Sequence, residues 1–146
     1  MYSRIQTIID IGAKSFMQGD VSPILRFYNP VLPVYIAGNR LTLGSLEEVA
    51  DSLETHYRAV SSMGFTFLSG KLIAQSIPRD GRFRAAVDWS YWHEAGFAGP
   101  VGRTTYYCRD EGDGPKIEMV EYPNLAFESA CYWYADRLEP ELKTGT

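Results

Sequence analysis

Cysteine and histidine are scarce in this chain, with two of each in 146 residues. Two cysteines close at most one bridge, so no disulfide framework holds the fold, and a chain this long needs no staple. Cys108 and Cys131 stand beside Tyr107 and Tyr132, a setting of packed thiols rather than reactive ones. His56 and His93 are far apart and unaccompanied by other ligands at metal spacing, so no zinc site is expected. Cationic charge is also short. Lys and Arg number 14 against 18 Asp and Glu, for a net charge of −4. Without a basic stripe, a nucleic-acid partner is not expected. No apolar run approaches the roughly 20 residues of a spanning helix, which argues against a membrane partner. The start "MYSRIQTIIDIG" carries charges and no small-residue cleavage site. It reads as no signal peptide, and a cytoplasmic location with reduced thiols is expected. A G-x-S-x-G nucleophile elbow is missing, and no cofactor is expected.

What is present fits one globular domain. Hydrophobic residues make up 45% and charged residues 22%, the profile of a chain that packs a core. We read residues 1–146 as a single domain, with a core over about 3–127 and a tail over about 128–146.

Helical spacing dominates the first half. Ile5, Ile8, Ile9, Gly12, Ala13, Phe16 and Met17 share one face, Ser3 and Gln6 have capping-box spacing, and Gly19 closes the segment. In "DVSPILRFYNP", Ser22 is the expected N-cap of a short helix and Pro23 its first residue. "VLPVYIAGN" reads as a short extended segment, which Pro33 confines to an edge or bulge. Ser45 to about Ser62 is the clearest helix, with Leu46, Val49, Ala50, Leu53, Tyr57 and Val60 as its stripe and Ser45 with Glu48 as a capping box.

The period then changes to two. "FTFLSGKLIAQSIP", "FRAAVDWSYWHE", "RTTYYCRD" and "KIEMVEYPN" read as four strands of an antiparallel meander, separated by glycine-rich turns. Gly96, Gly99 and Gly102 lie between two strands, so they form a hairpin rather than a phosphate cradle, which would lead into a helix. Phe127, Ala130, Cys131 and Tyr134 allow a terminal helix. Helices first and a meander after predict an α+β fold, a curved sheet with helices on one face.

Three stretches resemble a known family. "YNPVLPVYIAGNRLTLGSLEEVADSLETHY" looks like the front half of an NTF2-like domain. "VDWSYWHEAGFAGPVGRTTYY" resembles the central strand pair of SnoaL-like proteins, and "GDGPKIEMVEY" their final strand, with Pro115 inserted. The likeness runs from about Ile5 to Pro123. It implies a cone: a strongly bent antiparallel sheet wrapped around three helices, enclosing an apolar pocket. It also implies a homodimer formed through the outer sheet face. The fold hosts isomerases, cyclases, dehydratases, hydrolases and non-catalytic binding modules, so the residues must decide function.

Period two places Ile117, Met119 and Glu121 on one face. A carboxylate among apolar neighbours would be desolvated and drawn into acid–base range. In SnoaL-like proteins an acid near this point faces the cavity, which makes Glu121 the candidate proton shuttle. Its alternative is a salt-bridged strand-end carboxylate. His93 shares the apolar face of Phe83, Ala85, Val87, Trp89 and Tyr91, as an acid–base partner or a hairpin-end histidine held by backbone. Asp88, Ser90, Trp92 and Glu94 take the opposite face, where Trp92 suits a dimer anchor. Tyr35 stands where ketosteroid isomerases of this superfamily carry a general-base aspartate. A tyrosine, with a pKa of about 10, is a poor base near neutrality, but it could donate a hydrogen bond to a carbonyl. Arg103 matches the arginine of the family's G-R return and could bind an enolate or pair with a carboxylate. Phe16, Tyr28, Tyr57, Trp89, Tyr91 and Met119 are the expected pocket wall.

Two functions remain. One is a cofactor-independent acid–base catalyst, a cyclase, isomerase or dehydratase, acting on a small apolar carbonyl compound. The other is a non-catalytic module that holds a small molecule or a protein partner.

Overall fold

A computed structural model describes residues 3–123 and 137–139. The helix α1 spans Ser3–Gln18, α2 Ser22–Leu25 and α3 Leu46–Ser62. Strands are β1 Leu32–Ile36, β2 Asn39–Leu43, β3 Phe67–Gln75, β4 Arg82–His93, β5 Gly96–Asp110 and β6 Pro115–Tyr122. The segment suggested as a terminal helix, with Cys131, lies outside the described residues. No described helix is long and apolar enough to cross a membrane.

Local chemistry sets the helix ends. At Gly19 (φ 69°) the chain leaves α1 through paired turns, Gly19 N–H to Phe16 O at 3.3 Å and Asp20 N–H to Ser15 O at 3.1 Å. This satisfies two carbonyls that the helix leaves open, and the left-handed φ suits glycine. Ser45 Oγ accepts the Glu48 N–H at 3.2 Å, as a cap should. The reciprocal arm lands one residue early, Glu48 Oε2 accepting from Gly44 N–H at 2.9 Å. The expected cap at Ser22 is corrected. Val21 holds the N-cap position without a side-chain bond, and the Asp20 carboxylate takes the Ser22 N–H at 3.0 Å. Gln6 does not close a capping box either. Its amide reaches the outer edge of β3, accepting from Leu72 N–H and donating to Gly70 O, both at 3.4 Å. Met17 Sδ accepts the Leu68 N–H on the same edge at 3.0 Å. These side chains of α1 cover backbone groups that an edge strand would otherwise present to another chain.

The sheet runs β2-β1-β6-β5-β4-β3. The four-strand meander is as expected, but the front of the chain adds two strands rather than one. Ala37 and Gly38, both at positive φ, turn β1 into β2, and β1 joins β6 in parallel at Val34–Val120, Tyr35–Glu121 and Ile36–Tyr122. Pro33 is therefore not on an edge strand. It precedes the first residue paired to β6, where its missing N–H costs the ladder nothing. Residue Glu139 closes the far edge: its N–H donates to Arg40 O at 2.8 Å, and its carboxylate takes Arg40 and Thr42.

Four register shifts bend the sheet, at Leu72/Ala74, Trp89/Ser90, Tyr91/Trp92 and Tyr107/Cys108. Its inner face supplies Leu32, Val34, Leu41, Ala85, Val87, Cys108, Ile117 and Val120, all at most 2% exposed. Ile5, Ile8 and Ile9 of α1 and Val49 and Leu53 of α3 pack against them. Each of the Val, Leu and Ile side chains, fully buried, contributes about 1.5–3 kcal/mol. The α3 stripe is rotated from its expected position. Leu46 is exposed, while Ser52 and Ala59 are buried and His56 turns inward.

Candidate functional site

Between the inner sheet face and the helices lies a cavity of about 100 Å³. Helix α1 lines it with Ile5, Ile8, Ile9, Gly12 and Phe16, and α3 with Leu53 and His56. Tyr28 enters just after α2. The sheet contributes Trp89 and Tyr91 from β4, Thr104 and Tyr106 from β5, and Ile117 and Tyr122 from β6. Across the ladders Thr104 stands opposite Val87, Tyr106 opposite Ala85 and Val120, and Ile117 opposite Cys108, so the lining side chains are interleaved with buried core residues.

Trp89 is the most constrained of them. Its indole N–H donates to Thr104 Oγ1 at 3.1 Å. Across the sheet stands Gly70, where a Cβ would lie 2.6 Å from both Trp89 Cζ3 and Ile9 Cγ2. Glycine at this position lets α1 and the indole close over β3.

Burial governs the electrostatics. It lowers His56 to about 4, so the imidazole is neutral near pH 7. His56 stands edge-on to Tyr122, ring centroids 5.4 Å apart, and 6.5 Å from Phe16. Tyr28 and Tyr106 are pushed well above the ordinary tyrosine value, and Tyr91 above it, by burial first and neighbouring tyrosines second. All three hydroxyls therefore keep their protons. Among the described residues lining the cavity there is no carboxylate.

Of the ten residues singled out from sequence, Phe16, Tyr28, Trp89, Tyr91 and Arg103 line this cavity. Arg103 commits its guanidinium elsewhere, to Asp88 at 2.9 and 3.4 Å on the outer side of the sheet. Tyr57 packs edge-on against Phe16 and over Gly19 rather than into the cavity. His93 is exposed at the end of β4, stacked near Phe65 at 4.7 Å, with Nδ1 3.3 Å from Gly64 O.

Glu121 and Met119 require a correction. Glu118 is an extra residue in β6, since Tyr107 pairs with Met119 and Cys108 with Ile117. That bulge ends the period-two face after Ile117. Val120 and Tyr122 turn inward, and Met119 and Glu121 turn outward. Glu121 accepts the Tyr107 hydroxyl at 3.3 Å. Tyr35, paired with Glu121 across the parallel ladder, is on the same outer face beside Arg40. The proton shuttle and the isomerase-position tyrosine are thus neighbours of each other and not of the cavity.

His56, Thr104, Tyr106 and Tyr122 were missed. The signal for His56 was available, because Val49, Ser52, Leu53, His56 and Ala59 have i, i+3, i+4, i+7 spacing. Tyr106 and Thr104 alternate with Arg103 and Thr105, again a readable period.

No protein-family model and no curated protein matches the sequence. Solved structures do match in fold. A domain of unknown function with a cystatin-like fold from Nostoc punctiforme aligns with TM-score 0.64 and 13% identity, over 92% of this chain and 83% of that one. An NTF-2 like protein of unknown function from Shewanella oneidensis aligns at 0.61 and 15%, over 82% and 95%. An NTF2-like protein with a cystatin-like fold from Novosphingobium aromaticivorans aligns at 0.58 and 14%, over 84% and 79%. The chain has the NTF2-like fold, α+β with a curved six-stranded sheet.

Proposed function

We propose that the cavity binds a small, uncharged, mainly apolar molecule, and that binding is its primary role. The observation that carries this is the character of the wall: aliphatic and aromatic side chains with neutral polar groups, and, among the described lining residues, one charged side chain, Arg103, whose guanidinium is already paired with Asp88. Such a wall compensates no ionic charge, so a charged ligand would lose hydration for nothing in return. The volume of about 100 Å³ sets a ceiling of one ring. An apolar cavity of roughly 150 Å³ is enough to hold benzene. Isothermal titration with single-ring apolar compounds tests the reading. Saturable binding of one equivalent supports it; no heat and no thermal shift across the series would remove it.

A second reading keeps acid–base chemistry on a carbonyl compound, in line with the SnoaL-like resemblance. It is favoured by one feature, the His56 imidazole on the cavity wall. A base with a pKa of about 4 is weak, so binding ranks first. Deuterium exchange α to the carbonyl of a bound cyclic ketone, lost in His56→Leu, would reverse that order.

We also propose the outer sheet face as a homodimer surface. Half-buried Trp92 and Phe67, which is 52% exposed, are direct cross-strand partners there.

A further inference from the structure

Tyr28 carries information that the apolar cavity alone does not. The residue is 8% exposed and lines the cavity. Its backbone is clamped on both sides to β6, with Ile117 N–H donating to Phe27 O at 2.6 Å and Asn29 N–H donating to Ile117 O at 2.9 Å. The ring is therefore held in place before any ligand arrives. Among the described residues its hydroxyl makes no hydrogen bond. A ligand group that pairs with it adds one hydrogen bond to the apolar contacts of the wall.

We infer that Tyr28 selects the ligand of the proposed cavity, and that the ligand is a single-ring compound bearing one hydroxyl group, of the phenol or cyclic-alcohol class. A hydroxyl uses both the donor and the acceptor capacity of the Tyr28 hydroxyl, whereas a carbonyl oxygen uses only the donor. The neighbouring Trp89 indole N–H is already given to Thr104 Oγ1, which leaves the indole with no proton for a ligand. The cavity of about 100 Å³ is smaller than the roughly 150 Å³ that holds benzene, which limits the ligand to one ring at most and disfavours a fused pair. Phe16, Trp89 and Tyr91 provide faces and edges for an aromatic ring.

This inference rests on the binding reading, and matched probes separate the two. Phenol, toluene, benzaldehyde and 2-naphthol are titrated into the wild-type protein and Tyr28→Phe by calorimetry. Wild type should bind phenol about tenfold tighter than toluene, the yield of one well-formed hydrogen bond. Benzaldehyde should fall between them, and 2-naphthol should bind more weakly than phenol. Tyr28→Phe should bring phenol down to toluene and leave toluene unchanged. Equal binding of phenol and toluene by wild type overturns the selection while leaving the cavity reading intact. So does a phenol preference that survives Tyr28→Phe. Preferred binding of 2-naphthol overturns the single-ring class. Failure of every probe overturns the cavity reading and this inference with it.

Discussion

The proton affinity of His56 gives the sharpest test of the cavity. In the unfolded chain this histidine takes a proton near 6.5, and in the folded chain burial holds it off until about 4. Between those values the unfolded state binds more protons, so lowering the pH favours unfolding. The stabilisation is complete above 6.5, is lost as pH falls toward 4, and stops falling on this account below 4. At 1.36 kcal/mol per unit, the gap between 6.5 and about 4 sets a ceiling of about 3 kcal/mol. Because His56 is only half-buried and solvent entering the cavity would screen its charge, we expect about 1–2 kcal/mol. Carboxylates held below their ordinary range, Asp110 chiefly by the Gly112 N–H and Glu139 chiefly by Arg40, destabilise in the same direction as pH falls. They do so mainly near and below the unfolded carboxylate value of about 4. A His56→Leu variant removes the histidine contribution and keeps theirs. The assay is urea unfolding followed by tryptophan fluorescence at pH 7.5, 6.5, 5.5 and 4.5. The wild type should lose about 1–2 kcal/mol more than His56→Leu over this range. Parallel losses in the two proteins would refute a desolvated His56 and, with it, a dry cavity.

Other expectations follow from particular contacts. Gly70→Ala places a methyl 2.6 Å from Ile9 and Trp89 and should cost about 1–3 kcal/mol in urea unfolding; a neutral outcome would mean that α1 is free to move away from β3. Glu121→Gln should leave the affinity for single-ring ligands within about twofold, roughly 0.4 kcal/mol, because the side chain bonds Tyr107 on the outer face. A loss of about tenfold or more would return Glu121 to the site. Sedimentation at micromolar concentration should show a homodimer that Trp92→Ala weakens, and a wild-type monomer would rule out the outer face as that interface.

The sequence and the structure agree best where periodicity is local. Both long helices, the glycine stop of α1, the Ser45 cap and the four meander strands could be read from spacing, because neighbours in the chain produce those signals. Strand β2 could not. Its five residues alternate, but Arg40 and Thr42 make that alternation weakly apolar, and its strand partner among the described residues is the equally short β1. The parallel pairing of β1 with β6 joins residues from opposite ends of the fold, and nothing near Val34 announces Val120. The wall of the cavity was half legible for the same reason. Phe16, Trp89 and Tyr91 sit on unbroken periods and landed inside. His56 was lost when the α3 stripe was centred on Leu46 and Tyr57 rather than on Val49, Ser52 and His56.

Glu121 shows what one extra residue does to a functional argument. Every step toward it was sound on a regular strand: an acid, two apolar partners at period two, and a concave face. The bulge at Glu118 leaves the chemistry of those residues untouched and rotates two of the three to the other side. The carboxylate then pairs with a tyrosine on the outer face, and the cavity keeps no acid among its described lining residues. That single change moves the balance from proton transfer toward binding, because the groups that remain on the wall, apart from Arg103 with its guanidinium on Asp88, are hydroxyls that keep their protons and an imidazole that burial makes reluctant to accept one. Such a wall can recognise a neutral polar atom far more readily than it can ionise one.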